Sequence, residues 1–393
     1  MMNDDLKKKI YSLMEQAVQN QQTAGVSLLV RKDGEELFFG VCGYADIEKQ
    51  EALGRDHIFR LFSMTKPVTA VAAMILVERG MLDLNMPVSE VLPGFAGAKV
   101  MEDGVPVTSQ RPVRVLHLLN MTSGLTYGEE PTPEGRQILR LIDSCMALLH
   151  TDRCVSTVEF ANALGQIPLA FAPDSSWCYG FSADVLGAVI EEVSGMRFGA
   201  FLEENLFKPL NMKDTGFYVP DETYSRLAAA YETAEDASLR RYDGDYLMIR
   251  NKADAPPRYQ SGGAGLLSTI DDYARFAQML LNGGSLDGTR ILSPRTVQYL
   301  TSGELTPPQQ AAMRRFGGHE GYTYSHLLRR LIDPGQACLM SEAGEYGWAG
   351  WLGCYFANIP GQNMTVLLMQ QKKGAGTSAL TRKIRNILSA ELL

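Results

Sequence analysis

The stretch Phe62-Ser63-Met64-Thr65-Lys66-Pro67-Val68 opens the segment that decides how the rest of the chain is interpreted. Apolar residues continue from it as far as Arg79, and a glycine, Gly80, ends the run. The pattern therefore predicts a helix over Met64–Arg79 with Gly80 as its C-cap. Residues i and i+3 share one face of a helix, so we expect Ser63 and Lys66 to point into the same space.

This spacing has a chemical meaning, because a serine hydroxyl becomes a nucleophile at neutral pH only beside a base. A lysine supplies that base when burial or a nearby positive potential favours its neutral form, and a helix N-terminus contributes such a potential. Ser63 is the only serine in the chain that is followed by lysine three residues later. The alternative is an N-cap serine followed by a solvated lysine, and the local pattern alone leaves both interpretations open.

Both ends of the chain carry strand and helix patterns. The N-terminal strands meet at Asp33-Gly34, a dipeptide typical of hairpins, and the C-terminal strands turn at Pro360-Gly361. The predicted strands are Gly25–Val30, Glu36–Val41, Gly350–Ala357 and Met364–Gln370, and the predicted terminal helices are Leu6–Val18 and Ser378–Leu392.

The middle of the chain is mostly helical in pattern. The predicted helices are Glu134–Leu149, Ser156–Leu164, Ser182–Val193 and Ile270–Leu281, and a small hairpin is predicted over Leu239–Ile249 with its turn at Asp243-Gly244. The sequence thus predicts an α+β fold, in which an antiparallel sheet built from both chain ends and flanked by the terminal helices receives a large, mainly helical insertion. We expect residues 1–80 and 320–393 to form the sheet lobe, 81–319 the helical lobe, and the active site to lie in the cleft between them. Two independent tandem domains are the alternative, which the lack of a Pro/Gly/Ser-rich linker disfavours.

Composition excludes several classes of protein. The chain has 393 residues, 45% apolar and 21% charged, which is ordinary for a folded protein and not for a disordered or fibrous one. The net charge of −8 and the absence of a polybasic block argue against a nucleic-acid partner. The longest strongly apolar run, Val68–Val77, is far shorter than the ~20 residues of a membrane span.

The sequence also carries an expectation about the compartment. Met1–Asn20 contains no signal-peptide pattern, and the six cysteines form no CxxC pair. We therefore expect a cytoplasmic protein with reduced thiols. The sequence leaves its oligomeric state open.

Several motifs occur in an order that resembles a known family. After the segment around Ser63 come Val115–Leu119 with Thr122–Leu125, then Trp177–Gly187, and then Gly262–Ser268 with Asp272–Phe276. Together they resemble the serine β-lactamase and penicillin-binding-protein superfamily, and above all its class C β-lactamase-like esterases of the family VIII type. The resemblance spans roughly residues 10–390.

The resemblance implies that Ser63, Lys66 and Tyr179 are the catalytic residues. In the family, the oxygen of a tyrosine near the lysine relays the proton between the nucleophile and the leaving group. A tyrosine beside a lysine titrates together with it, so neither can be named as the sole base.

Two departures from the β-lactamase pattern shape the expected substrate. Phe181 stands where β-lactamases carry an asparagine, and Trp348-Ala349-Gly350-Trp351 stands where they carry Lys-Thr-Gly, as in the esterase branch. The resemblance implies backbone N–H groups of Ser63 and Trp351 as the oxyanion hole, and Trp348, Gly350, Phe181 and Tyr127 as substrate-binding residues. Gly350 is expected to let a substrate approach a strand closely. The site is thus expected to take a neutral, rather hydrophobic acyl group.

The function predicted from these features is a serine hydrolase that cleaves a small-molecule carboxylic ester through an acyl-enzyme. No metal or organic cofactor is implied. A β-lactamase or D-amino-acid peptidase acting on an amide, and an acyltransferase, are the alternatives that keep the same nucleophile. A relative that only binds a ligand is disfavoured by the presence of Ser63, Lys66 and Tyr179. His319 and His326 lie in a Gly- and Tyr-containing region that is compatible with a pocket wall.

Overall fold

A computed structural model describes residues 2–392 and contains one eight-stranded antiparallel sheet with many helices. Strands from the two chain ends are neighbours in this sheet, whose order is Tyr322–Ser325, Leu328–Leu331, Tyr346–Ala349, Tyr355–Ile359, Met364–Gln370, Gly25–Lys32, Glu35–Asp46 and Glu51–Ala52. This arrangement confirms the predicted α+β fold class. The α-helices are α1 Asp4–Gln19, α2 Thr65–Glu78, α3 Val115–Leu119, α4 Pro133–Leu148, α5 Thr157–Gly165, α6 Ser182–Ser194, α7 Phe198–Leu202, α8 Ile270–Leu281, α9 Pro294–Ser302, α10 Pro307–Arg315 and α11 Ala379–Leu392.

The strands of the large sheet are β1 Gly25–Lys32, β2 Glu35–Asp46, β3 Glu51–Ala52, β12 Tyr322–Ser325, β13 Leu328–Leu331, β14 Tyr346–Ala349, β15 Tyr355–Ile359 and β16 Met364–Gln370. The remaining strands form four short pairs: β4 Phe59–Arg60 with β9 Leu267–Ser268, β5 Lys99–Glu102 with β6 Val105–Thr108, β7 Tyr231–Thr233 with β8 Leu239–Arg241, and β10 Ser285–Leu286 with β11 Thr289–Arg290. Short 3₁₀ helices cover Phe62–Met64, Val88–Glu90, Pro93–Phe95, Asp221–Arg226 and Pro360–Gln362, and a π-helical turn covers Glu203–Phe207.

The central strand β1 is buried on both faces. Side chains alternate along a strand, so Val26, Leu28 and Val30 face one side and Leu29 the other. The first three belong to a core shared with the terminal helices α1 and α11, whereas Leu29 belongs to the larger core under the helical region. The terminal helices therefore cover one face of the sheet, and the other face supports the inserted region.

Helix α2, which follows Ser63, belongs to the larger core. Its residues Thr65–Leu76 are all buried, and it packs against α6. Residues 65–78 fall within the predicted sheet lobe 1–80, yet they pack with the helical region. The lobes thus share one continuous core beneath the site, because an all-round apolar helix needs partners on every side.

Two local predictions are wrong. A strand does begin at Leu239, but this strand, β8, pairs with the preceding strand β7 and not with a following one. The hairpin therefore turns at residues 234–238 and not at Asp243-Gly244. The strand predicted over Gly350–Ala357 begins only at Tyr355, because the Gly350 N–H bonds the Cys354 carbonyl and closes a turn between β14 and β15.

None of the helices within residues 2–392 is long and apolar enough to cross a bilayer. All six cysteines are free.

Candidate active site

Ser63 lies in a tight turn between β4 and α2. The preceding residue, Phe62, has φ +45°, a left-handed conformation that is costly for an aromatic residue. Phe62 is buried against Trp351, with ring centres 5.1 Å apart, and against Tyr246 at 6.5 Å. This packing holds the strained turn and presents the serine at the start of the helix.

Lys66 is completely buried and makes three hydrogen bonds through Nζ. It donates to the Ser63 Oγ at 3.2 Å, to the Tyr127 hydroxyl at 3.1 Å and to the Gly263 carbonyl at 2.8 Å. These three partners fix the amine of Lys66 beside the serine hydroxyl. The structure thus brings Ser63 and Lys66 together, as the i, i+3 spacing predicts.

The Gly263 carbonyl is held in place by Asp184, near the start of α6. The Asp184 carboxylate is buried and accepts hydrogen bonds from the Tyr259 hydroxyl at 2.8 Å, from the Ser261 hydroxyl and from the Gly263 N–H at 3.2 Å. A Cβ on Gly263 would lie 2.5 Å from this carboxylate, so the loop approaches Asp184 too closely for a side chain. Sequence reasoning missed Asp184, although it lies within the motif that contains Tyr179.

Tyr179 contacts Lys66 through the face of its ring. The Lys66 Nζ lies 4.5 Å from the ring centre, a cation–π distance. The Tyr179 hydroxyl accepts a hydrogen bond from the Trp348 Nε1 at 3.2 Å. The phenol is therefore oriented from the opposite wall of the cleft, and Ser63, Lys66 and Tyr179 form one cluster.

Tyr127 and Phe181, which were also predicted to bind substrate, lie behind this cluster. Tyr127 packs edge-on against Tyr179 and Phe181, and desolvation followed by the neighbouring Tyr179 raises the pKa of Tyr127 well above its usual range. Phe181 is 1% exposed and packs against Phe160, so it lies in the core and not on the cleft wall where we expected it. In place of an asparagine amide, the chain has an aromatic cluster under the lysine.

Gly350 allows two backbone segments to meet. A Cβ there would lie 2.1 Å from the Leu61 carbonyl oxygen, next to the turn that carries Ser63. The missing side chain therefore makes room for the protein's own backbone, and the approach of a substrate at Gly350 stays a prediction. The N–H groups of Ser63 and Trp351 make no hydrogen bond to any other group in residues 2–392. Two unpaired backbone donors flanking a nucleophile are what an oxyanion hole requires.

The cleft in front of Ser63 has a volume of about 710 Å³. Of the predicted residues, Ser63, Tyr179, Trp348, Gly350 and Trp351 line it. Its outer wall is formed by residues that the motifs did not indicate, namely Phe316, Arg329, Thr377 and Arg382, together with His319.

His319 stacks on the indole of Trp348, with ring centres 5.6 Å apart. Desolvation, followed by the charge of Arg329, lowers the pKa of His319 to about 4, so its imidazole is neutral at pH 7. His326, in contrast, is buried beside the Leu300 carbonyl and does not line the cleft.

Comparison with known proteins decides the family. A family model described as Beta-lactamase matches residues 10–391, nearly the whole chain. The chain belongs to the beta-lactamase family. This family membership, together with the relatives below, makes it an enzyme of the serine hydrolase class.

Three similar proteins place the enzyme within the family. Protein Rv1367c of Mycobacterium tuberculosis (strain ATCC 25618 / H37Rv) is 32% identical over 322 residues, which cover 80% of this chain and 76% of that protein. Esterase EstB of Burkholderia gladioli is 30% identical over 402 residues, covering 98% and 95%. The solved structure of EstCE1, a hydrolase with promiscuous acyltransferase activity, has a TM-score of 0.83 at 26% identity and covers 98% of both chains.

Proposed function

We propose that this beta-lactamase-family enzyme hydrolyses small-molecule carboxylic esters through an acyl-enzyme on Ser63. The observation that carries the proposal is the contact between the Lys66 Nζ and the Ser63 Oγ, 3.2 Å apart, beside two unpaired backbone N–H groups. A nucleophile, a proton acceptor and an oxyanion hole are thereby assembled at one point, as acyl transfer needs.

The reaction begins with attack of the Ser63 Oγ on the ester carbonyl. The serine proton passes to the Lys66 and Tyr179 pair, and the carbonyl oxygen becomes an oxyanion held by the N–H groups of Ser63 and Trp351. Each such donor is worth about 3–4 kcal/mol in the transition state. Collapse of the tetrahedral intermediate breaks the bond to the alcohol, which leaves with the proton from the same pair.

Deacylation repeats these steps with water. The Lys66 and Tyr179 pair removes a proton from water as its oxygen attacks the acyl carbonyl, and the proton returns to the Ser63 Oγ as the acid leaves. The Trp348 N–H keeps the Tyr179 hydroxyl on the cleft side throughout. An alcohol that replaces this water would receive the acyl group, which is the acyltransferase alternative.

Ester rather than amide cleavage is supported by what surrounds the nucleophile. Phe181 stands at the sequence position where a β-lactamase carries the amide that would hold a β-lactam or peptide group, and its ring is buried against Tyr127, with ring centres 4.7 Å apart. The indole of Trp348 stands in the place of the lysine in the third motif. Apolar walls next to Ser63 favour an uncharged acyl group at the point of reaction.

The proposal is tested by steady-state kinetics with p-nitrophenyl butyrate and with the β-lactam nitrocefin. Wild type should hydrolyse the ester and not the lactam, and Ser63→Ala should lose ester hydrolysis. Ser12→Ala, the same chemical change on the exposed side of α1, should keep it. Full ester hydrolysis by Ser63→Ala would overturn the mechanism, and nitrocefin turnover above ester turnover would favour the β-lactamase alternative. Butyl butyrate formed in the presence of 1-butanol would reveal acyl transfer.

We also propose a cytoplasmic location, which is supported by the six free thiols. Thiol labelling of the protein in fractionated cells, without prior reduction, tests it.

A further inference from the structure

Arg329, on β13, is a buried cation without an acidic partner. Only 4% of the Arg329 surface is exposed, and no carboxylate within residues 2–392 forms an ion pair with its guanidinium. Its Nη1 donates to the Thr377 hydroxyl at 2.9 Å, and its Nη2 has no hydrogen-bond partner in the part of the chain that the structure describes. The buried Glu345, just before the neighbouring strand β14, is paired with Arg385.

Aromatic rings surround the Arg329 guanidinium. Its Cζ lies 5.1 Å from the ring centres of Tyr322 and Tyr355 and 5.9 Å from that of Trp348. Such rings attract a cation, but they do not replace the strong acceptors that the guanidinium loses when it leaves water. A buried charge in this state is costly to keep, and an acceptor supplied from outside the chain would offset the cost.

The cleft that leads to Ser63 also reaches Arg329. Thr377 and Arg382 line the cleft with it, and Arg382 Nη1 donates to the Thr377 carbonyl at 3.0 Å. The Thr377 hydroxyl accepts from Arg329, and its own proton has no acceptor among the described residues. Two guanidinium groups and a free hydroxyl proton thus converge at one end of the cleft. We call Arg329, Thr377 and Arg382 the anion cradle. One acidic side chain, the exposed Glu320, also lines the cleft.

We propose that the anion cradle binds a carboxylate of the substrate, so that the preferred ester carries an anionic group away from the carbonyl that reacts. This inference rests on the proposed ester hydrolysis and names its substrate class. A guanidinium recognises a carboxylate through charge-assisted N–H bonds, and Arg329, Thr377 and Arg382 all line the cleft. Trp348 links the two parts of the site, because its Nε1 bonds the Tyr179 hydroxyl while its ring contacts Arg329. The apolar surroundings of Ser63 and the cationic end of the cleft would therefore bind different parts of one molecule.

The test compares charged and neutral esters of matched shape. Mono-p-nitrophenyl adipate against p-nitrophenyl hexanoate places the carboxylate on the acyl side, and 4-(butanoyloxy)benzoate against phenyl butyrate places it on the leaving group. The measured quantity is the ratio of kcat/KM for the charged over the neutral ester, in wild type, Arg329→Gln and Arg329→Lys. The control is Arg330→Gln, which removes the same charge from the opposite face of the same strand, where Arg330 pairs with Glu304 at 2.7 Å.

In at least one pair, Arg329→Gln should lower the ratio about tenfold or more, the cost of one lost charge-assisted hydrogen bond. Arg329→Lys should recover part of it, and Arg330→Gln should leave it unchanged. A ratio that Arg329→Gln leaves unchanged in both pairs overturns the anion cradle, while hydrolysis of the neutral esters would leave the proposed function standing.

A binding measurement does not depend on turnover or on the variants. Hexanoate should raise the melting temperature of wild type more than the neutral hexanamide does at equal ionic strength, because only the anion can pair with the guanidinium groups of the anion cradle. Equal shifts from the two ligands would contradict the proposal even if Arg329→Gln failed to fold.

Discussion

The Lys66 Nζ lies 3.1 Å from the hydroxyl of Tyr127, whereas it meets Tyr179 only through the ring, 4.5 Å from its centre. The two tyrosines therefore have different tasks in our account. Tyr127 holds the lysine beside Ser63, and Tyr179, oriented by Trp348, exchanges the proton with the leaving group.

Tyr127→Phe should lower kcat/KM for p-nitrophenyl butyrate about tenfold, because Lys66 loses one of the three groups that hold it beside Ser63 and a hydrogen bond is worth ~0.5–1.5 kcal/mol net. Steady-state kinetics measures the effect, and urea unfolding checks that the fold remains. The matched control is Tyr324→Phe, since the Tyr324 hydroxyl is buried without a partner in the described chain. Equal activity of the two variants would show that Tyr127 does not position Lys66.

Asp184→Asn should reduce both activity and stability. The three hydrogen bonds that shape the loop at Gly263 all end on the Asp184 Oδ1, and the neutral amide oxygen of asparagine is a weaker acceptor than a carboxylate oxygen. We expect a loss of ~2 kcal/mol in the free energy of unfolding, measured in urea, together with a lower kcat. Asp236→Asn is the control, because Asp236 accepts from the backbone and side chain of Ser238 on the surface. A stable variant with unchanged kcat would mean that the loop does not need Asp184.

Gly350→Ala should destabilise the enzyme and impair the oxyanion hole. The added methyl group would lie 2.1 Å from the Leu61 carbonyl, so the turn bearing Ser63 must move away from Trp351. Overpacking of this kind should lower the free energy of unfolding by ~1–3 kcal/mol, which denaturant unfolding measures. In steady-state kinetics, kcat should fall by a larger factor than the factor by which KM changes. In Gly216→Ala the nearest atom to the new Cβ is 3.8 Å away, so this control should behave like wild type. Wild-type kcat in Gly350→Ala would contradict the assignment of the Trp351 N–H.

His326 should make the fold sensitive to acid. Burial lowers the pKa of His326 to about 4, while the unfolded chain takes up a proton near pH 6.5. Between these values only the unfolded form binds the proton, so the stability contributed by the neutral imidazole is lost as pH falls from about 6.5 to 4.

His326→Asn removes this dependence, and asparagine tolerates the φ of +48° at this position. Between pH 7 and pH 4 the variant should gain about 3 kcal/mol in the free energy of unfolding relative to wild type. Asp272, whose pKa burial raises to about 6, changes stability in the opposite direction but is present in both proteins and cancels. Parallel pH profiles for the two proteins would refute the prediction.

The fold class could be predicted because the strands at both ends and the helices between them have clear periodicity. The predicted helix over Ile270–Leu281 matches α8, and the predicted strand Met364–Gln370 matches β16. The strands β12 and β13 were missed because each is only four residues long, too short for a periodicity to stand out.

The candidate site was only partly predictable for a similar reason. The spacing of Ser63 and Lys66 is local and is visible in the sequence. The bonds of Lys66 to Tyr127 and Gly263 join residues 61 and 197 positions apart, and only the folded chain brings them together. Arg329 has no motif of its own, because its importance lies in having no acidic neighbour, which is a property of packing.

The central claim, that Ser63 is an activated nucleophile, is tested most directly by intact-mass spectrometry after incubation with a fluorophosphonate. Wild type should gain the mass of one phosphonyl group and Ser63→Ala should gain none, while a parallel incubation with a penicillin should leave both masses unchanged. An unlabelled wild type, or equal labelling of the two proteins, would contradict the account.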